Sequence, residues 1–515
     1  MSWNYDTSLE RIRERSKNLP VIRVEKLTKR MSVDNITMRE SRRIFGAHGY
    51  VGIANADLLL AGLDDGDGVQ HLLQRTHLWQ RAAVALAADF ELDVVHFQGW
   101  RVHVLGYHPI DNGPKVAERM TLYARALEVV TRRAFSPAFG DGIDLRCVAG
   151  VDLGETVATR GGIKGDTELI FLGSAANQAA KLADRRYQLA VGGEIANELD
   201  EALLNGSEEL ENEGVRLRID GRDIEQLCND AKIEWSLETA RARIDDDISK
   251  LPLDKFKVSA ASGKLEFDGL GVSNSKQLFA STIIADIDGY CSYIEQADGD
   301  EEKRDAIVTL HQIRSELREV LRSDHDGVRV QYRGDNVIGV LNTPVDDKDA
   351  IAQAAVAVAA GMQASMEKTL PQVVPDAQQL SIAIGIDYGD TIGSRLGEYA
   401  RRNAIVLGYP VSRAERLQRA ADGRQTAITA RVRNSLEDNV AALFTKDEAT
   451  GAYMADDLTA DRLELTASIA GFNSSKNARI KPPNGSGPIK VAPSIGVATG
   501  NERDVPPFRP YADDR

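Results

Sequence analysis

The alternation of apolar and polar positions is clearest in the second half of the chain. Residues 279–287 (FASTIIADI) are a continuous apolar run rich in β-branched side chains, the pattern of a strand buried on both faces. Residues 301–323 place Ile307, Leu310, Ile313, Leu317 and Leu321 at helical spacing. Residues 328–332 and 337–341 are short strand-like runs around Gly334-Asp335, a hairpin signal. An Ala-rich helix is predicted over 349–368, a strand over 380–386 and another helix over 409–420. The order βαββαβ predicts a ferredoxin-like α+β domain, an antiparallel sheet with helices on one face.

The chain repeats itself. Gly150-Val-Asp-Leu-Gly-Glu-Thr-Val-Ala-Thr-Arg160 resembles Gly385-Ile-Asp-Tyr-Gly-Asp-Thr-Ile-Gly-Ser-Arg395, 235 positions on. The same offset pairs Gly99 with Gly334, Pro109 with Pro344, Leu172-Gly173 with Leu407-Gly408, and Leu182 with Leu417. Two copies of one domain are therefore expected, over 41–200 and 276–455. Before them, 1–40 reads as a charged helical segment broken near Pro20. The 201–275 stretch, with its acidic and basic blocks, reads as a partly helical linker. A Pro- and Gly-rich tail without a core of its own is expected over 456–515.

Composition narrows the function. The 515 residues are 43% hydrophobic and 27% charged, ordinary for a globular protein. A net charge of −15 disfavours nucleic-acid or anionic-membrane partners. No apolar run approaches the ~18 residues of a membrane span, and the start shows no signal-peptide core, so a cytoplasmic protein is expected. Cys147, Cys228 and Cys291 are scattered, which argues against a disulfide framework or a zinc site.

Asp286 closes the first strand of copy two and Asp335 sits at the tip of the next hairpin. Those strands are neighbours in a split βαβ sheet, so both carboxylates can face one point. They would repel each other without a cation between them. Hard oxygen ligands with no His or Cys nearby favour two divalent cations, Mg²⁺ or Mn²⁺.

These residues resemble a family. Asp286-Ile287-Asp288-Gly289-Tyr290 and Tyr332-Arg333-Gly334-Asp335 are similar to the two metal motifs of class III nucleotidyl cyclase catalytic domains. Leu407-Gly408-Tyr409-Pro410-Val411-Ser412-Arg413-Ala414-Glu415-Arg416-Leu417 resembles that family's Leu-Gly-x-x-Val-Asn-x-x-x-Arg-Leu helix. The resemblance covers most of both copies. It implies attack of a ribose 3′-hydroxyl on the α-phosphate of the same nucleoside triphosphate, with pyrophosphate expelled. It also implies two metals on Asp286 and Asp335, with the Ile287 carbonyl as a further ligand.

Copy one lacks the metal pair, because Asn55 best matches Asp286 and Trp100 stands at the Asp335 position. It keeps the family's Asn as Asn177 and has Lys181 at the Arg position, one helical turn on. The resemblance implies that Asn177 orients the ribose and that the charge of Lys181 stabilises the α-phosphate, without the bidentate fork of an Arg. Copy two has Ser412 in place of the Asn. These losses are complementary. They imply an intramolecular pseudo-heterodimer, active as a monomer, with one composite site and one dead site.

The positions at which the family reads the base are His96 and Ile170, which fit neither the adenylate nor the guanylate pattern; Glu168 could substitute if the register differs. This resembles the bacterial pyrimidine cyclases of antiphage defence. The implied substrate is UTP ahead of CTP, the implied product a cyclic nucleotide read by a receptor that the sequence does not identify. The alternatives are a purine cyclase, a silent nucleotide-binding regulatory module, or another two-metal phosphoryl-transfer enzyme on the same core. The dinucleotide cyclases are opposed by the lack of their Gly-Gly-acidic-acidic-Phe run.

Overall fold

The apolar run of copy two is strand Ser275–Asp288, the centre of its sheet in the computed structural model. It pairs antiparallel with Asn336–Leu341 on one side and Ser381–Leu396 on the other, and Val328–Arg333 closes the hairpin at the edge. Copy one repeats the arrangement with Glu40–Ile53 flanked by Arg101–Gly106 and Cys147–Ile163, and Asp93–Gln98 at the edge. Each copy thus has the strand order of the expected α+β domain, within a nine-stranded sheet. The structure describes residues 2–19, 22–28, 31–63, 67–163, 166–185, 188–210, 214–217, 224–297, 299–345, 347–397 and 403–465. The tail expected over 456–515 lies outside them from residue 466 onward. No helix of the described residues is long and apolar enough to cross a membrane.

The sheets are mixed rather than purely antiparallel. Helix Tyr409–Ala420 carries the chain back across the sheet, so Gln425–Ile428 runs parallel to Ser381–Leu396. Leu189–Val191 does the same in copy one. The 201–275 stretch, expected as a linker, is woven into both domains. Glu208–Leu210 and Gly214–Arg216 extend the first sheet, and Val258–Ala260 joins the second. Helix Leu237–Lys250 buries Ala240 and Ile244 in the core of copy one.

Two features place the site. The first is the glycine of each repeated Gly-x-Asp motif. A Cβ on Gly150 would lie 2.1 Å from the Ala179 carbonyl oxygen, and one on Gly385 would lie 2.1 Å from that of Ala414. Only glycine lets helices Ser174–Asp184 and Tyr409–Ala420 rest directly on these strands. The second is a pair of arms. Ser381–Leu396 outruns the predicted 380–386 because its far half pairs both with the start of Ser275–Asp288 and with Asn403–Leu407, as Cys147–Ile163 does with Glu40–Ile53 and Asp166–Leu172. Each arm buries apolar side chains in the other copy. Val157, Ile170 and Leu172 join Ile307 and Leu310, while Ile392, Leu396, Ile405 and Leu407 join Leu72 and Trp79. Burial of such side chains contributes roughly 1.5–3 kcal/mol each, so the arms hold the copies as one unit.

The N-terminal segment adds a strap. Strand Arg23–Lys26 joins the sheet of copy one, whereas helix Tyr5–Lys17 docks on copy two. There the fully buried Glu316 accepts hydrogen bonds from Ser8 Oγ at 2.7 Å and from Arg11 Nη2 at 2.6 Å. Arg11 also pairs with Asp324 at 2.8 Å. Removing one partner of a buried pair strands the other charge. Arg11→Met should therefore lower stability by on the order of 3 kcal/mol in urea denaturation, and an unchanged midpoint would contradict this account.

Candidate active site between the two copies

Asp286 and Asp335 meet because their strands are registered neighbours, Ala285 opposite Val337. Asp335 follows Gly334, whose φ of +59° makes the tight turn. The two carboxyl groups are within hydrogen-bond reach of each other. Burial, then the charge of Asp335, pushes Asp286 well above the usual carboxylate range, and burial pushes Asp335 up to about 6. The charge of Arg419 pulls Asp286 in the other direction, and that of Arg314 does so for Asp335. Gln418 donates through Nε2 to Asp286 Oδ2 at 3.2 Å, while Asp286 Oδ1 is buried with no hydrogen-bond partner among the described residues.

An orphaned carboxylate oxygen beside a second repelled carboxylate is a fit for hard divalent cations. Ile287 lines the same cleft and can add its backbone carbonyl. Among the described residues no group of three or more His, Cys, Asp or Glu side chains converges as a metal cage. Two carboxylates alone would leave most of a cation's coordination to water and to substrate oxygens, as in sites that bind Mg²⁺ together with phosphates.

The opposite wall of this cleft, about 340 Å³ in volume, comes from copy one. Helix Ser174–Asp184 presents Asn177 and Lys181, and strand Asp166–Leu172 presents Ile170 and Phe171. His96 lines it too. Gln98 donates to His96 Nε2 at 2.8 Å, and burial lowers the imidazole to about 4, so it is neutral near pH 7. Seven of the eight residues singled out in the sequence therefore share one cavity. Glu168 does not. Two residues along an extended strand is a shift of roughly 6.6 Å. That carries its carboxylate into the adjacent cleft, where Arg329 Nη1 holds it at 2.6 Å.

Several lining residues were not legible in the motifs. Tyr50 stacks on His103 with ring centroids 4.3 Å apart, and Phe171 meets the same imidazole edge-on at 5.6 Å. His48 Nδ1 lies 3.0 Å from His103 Nε2 and its Nε2 lies 3.1 Å from Thr156 Oγ1. Burial lowers His48 to about 3 and His103 well below its ordinary value. The available signal was register, because Tyr50 and His96 are both cross-strand partners of His103. Gln418 sits one residue beyond the family-like helix motif. The cleft thus has a charged end at the carboxylates and an aromatic, apolar end formed by copy one.

The mirror-related pocket lacks the carboxylate pair. The register places Gly52, not the expected Asn55, at the Asp286 position, because Gly52 lies opposite Val148 as Asp286 lies opposite Ala383. Asn55, three residues on in the following turn, donates to the Asp144 carbonyl and accepts from the Arg146 N–H as a loop brace. Trp100 donates through Nε1 to Thr76 Oγ1 at 2.9 Å. Ser412 lies in this second pocket and accepts from Arg416 at 3.2 Å. Between the two pockets runs a charged row. Arg419 pairs with Asp184 at 3.4 Å and Glu415 at 2.9 Å, and Arg333 reaches Glu415 at 3.5 Å. Burial alone would raise Glu415, but Arg419, Arg333 and Arg101 hold it at about 2.

Known proteins resemble this chain in sequence and in fold. Residues 275–454 match the adenylate and guanylate cyclase catalytic domain family. A uridylate cyclase of Pseudomonas aeruginosa is 27% identical over 526 residues, covering 98% of both chains. A uridylate cyclase of a Rhizobium species is 26% identical, covering 88% of this chain and 94% of its own. The crystal structure of a class III adenylyl cyclase-like ATP-binding protein from Pseudomonas aeruginosa superimposes with a TM-score of 0.80 at 24% identity, over 90% of this chain and 99% of that one, and shows the same fold. The matched catalytic domain thus includes the carboxylate pair, and the chain is similar along nearly its whole length to uridylate cyclases and to the fold of a class III adenylyl cyclase-like protein.

Proposed function

We propose that this cyclase converts UTP to 3′,5′-cyclic UMP and pyrophosphate, at a single composite site. The observation that carries this reading is the convergence of Asp286 and Asp335 from copy two with Asn177 and Lys181 from copy one in one cleft. The choice of UTP is supported by the relatives named uridylate cyclases and by a base end made of Tyr50, His96, His103 and Ile170. A signalling product of this kind fits a role in antiphage defence.

Two divalent cations, Mg²⁺ or Mn²⁺, held by Asp286, Asp335 and the Ile287 carbonyl, would supply charge neutralisation at the α-phosphate and the leaving pyrophosphate. Asn177 positions the ribose, so the 3′-oxygen is held in line with the α-phosphorus. Lys181 donates to the oxygens where negative charge grows in the transition state. Gln418 fixes one oxygen of Asp286 and leaves the other directed to the cation site. The aromatic end of the cleft excludes water from the base.

Three outcomes are expected. Removing either member of the carboxylate pair relieves its repulsion, so Asp286→Asn or Asp335→Asn should abolish turnover yet stabilise the metal-free protein. A raised carboxylate pKa means that the fold binds the proton more tightly than the unfolded chain does. Stability is then lost as pH rises from about 4 through the folded value, and the amide variants should recover about 1–3 kcal/mol of it at pH 7. Thermal melts in chelator would show this, and destabilised variants would contradict the account.

Lys181→Ala should lower kcat by on the order of 10²-fold with little change in KM, because the charge it meets develops in the transition state. Ser412→Ala, in the dead site, should alter kcat by less than about twofold. Equal effects of the two would remove the composite assignment. Incubation with each of the four nucleoside triphosphates and Mn²⁺, followed by mass analysis, should give cyclic UMP as the main product. A preference for ATP would defeat the uridylate reading and leave the cyclase reading standing, whereas binding without pyrophosphate release would indicate a silent module.

A further inference from the structure

Glu168 reaches out of copy one to the backbone of the hairpin that carries Asp335. Val328–Arg333 is the edge strand of the second sheet, so half of its N–H groups face away from the ladder. One of them, that of Tyr332, donates to Glu168 Oε2 at 3.0 Å and Oε1 at 3.3 Å. Arg329 Nη1 pairs with the same carboxylate at 2.6 Å, and Arg314 Nη2 approaches it at 3.7 Å. Both guanidinium groups lie over the Tyr332 ring, at 3.7 Å for Arg314 and 4.4 Å for Arg329. Tyr332 is buried and donates its hydroxyl to the Arg314 carbonyl at 3.3 Å. By contrast, no described residue packs within 4 Å of a Cβ built on Gly334, at the hairpin tip. The tip is therefore located from the residues that precede it, Tyr332 held by copy one and Arg333 paired with Glu415.

The matching positions around the dead site lack this arrangement. The backbone irregularity between Arg329 and Gln331 recurs between Val94 and His96, 235 residues earlier, so Val94 stands where Arg329 does. In the arms, Glu168 opposite Gly161 corresponds to Asn403 opposite Leu396. The charged latch is built only onto the hairpin that ends in a carboxylate. The hairpin that ends in Trp100 has no such charge pair at these positions.

We propose that Glu168 is a positioning residue: copy one, through Glu168, Arg329 and Tyr332, sets the hairpin geometry on which cation binding at Asp335 depends. This rests on the reading of Asp286 and Asp335 as the cation site. It makes copy two dependent on copy one even before nucleotide binds.

The test uses the intact chain without nucleotide, with free Mn²⁺ followed by electron paramagnetic resonance and hairpin order by amide hydrogen exchange. Glu168→Ala should raise the Mn²⁺ half-saturation concentration by about 10–100-fold, the usual range for losing a group that orients a metal ligand. It should also speed exchange across residues 328–341. Glu168→Gln, which keeps an oxygen acceptor for the Tyr332 N–H, should recover most of both losses. Unchanged Mn²⁺ binding or unchanged exchange in Glu168→Ala overturns the proposal. If that variant does not fold, the wild-type chain decides, since a Tyr332 amide that exchanges as fast as an open loop also overturns it. A wild-type chain that binds no Mn²⁺ instead defeats the metal reading, a result distinct from normal binding that Glu168→Ala leaves untouched.

Discussion

The reciprocal exchange of arms is the constraint on which the rest depends. Each arm is the continuation of a central strand, so the domain that makes it cannot bury it alone. Val157, Ile170 and Leu172 are core residues only in the presence of copy two, and Ile392, Leu396, Ile405 and Leu407 only in the presence of copy one. The same exchange carries helix Ser174–Asp184, immediately after the first arm, over the carboxylate strand of copy two. Packing and assembly of the cleft are thus one event. Joining the halves in one polypeptide replaces an encounter by a folding step at high effective concentration.

Much of this was legible because the domain occurs twice. The βαββαβ pattern of copy two and the constant 235-residue offset place the elements of copy one, and Trp100 in place of Asp335 marks the copy without the carboxylate pair. The match of Asn55 to Asp286 was wrong by three residues, since the register puts Gly52 there. Motif residues were legible because they lie near a strand end, at a hairpin tip or one helical turn apart, where spacing fixes direction. What escaped was contributed by register and by long-range docking. The cross-strand row of Tyr50, His103 and His96 follows from pairing rather than from any local run. The strap of helix Tyr5–Lys17 depends on Glu316, far away in the sequence. Glu168 was misplaced because a two-residue step along an arm leads from one cavity into the next. The 201–275 stretch hid its strands because they are short edge pieces, whose pairing partners lie elsewhere in the chain.

The asymmetry of the two pockets is a matter of energetics as well as chemistry. A buried carboxylate pair is a liability in the metal-free fold, since burial and mutual repulsion oppose ionisation of both groups. Copy one shows the relaxed alternative at the equivalent place: Gly52 stands opposite Val148 as Asp286 does opposite Ala383, and the Trp100 indole in place of Asp335 donates to Thr76. The same strand pairing is thus built there without either carboxylate. Their retention in one copy, beside an amide that holds one oxygen and a hairpin anchored by charges from the other copy, is intelligible as a site kept under repulsion for a cation. Among the described residues, copy two holds such a carboxylate pair and copy one does not. A second would add the same repulsion without a second set of Asn177 and Lys181 to complete it, because the helix of copy two offers Ser412 and Arg416 there, already bonded to each other.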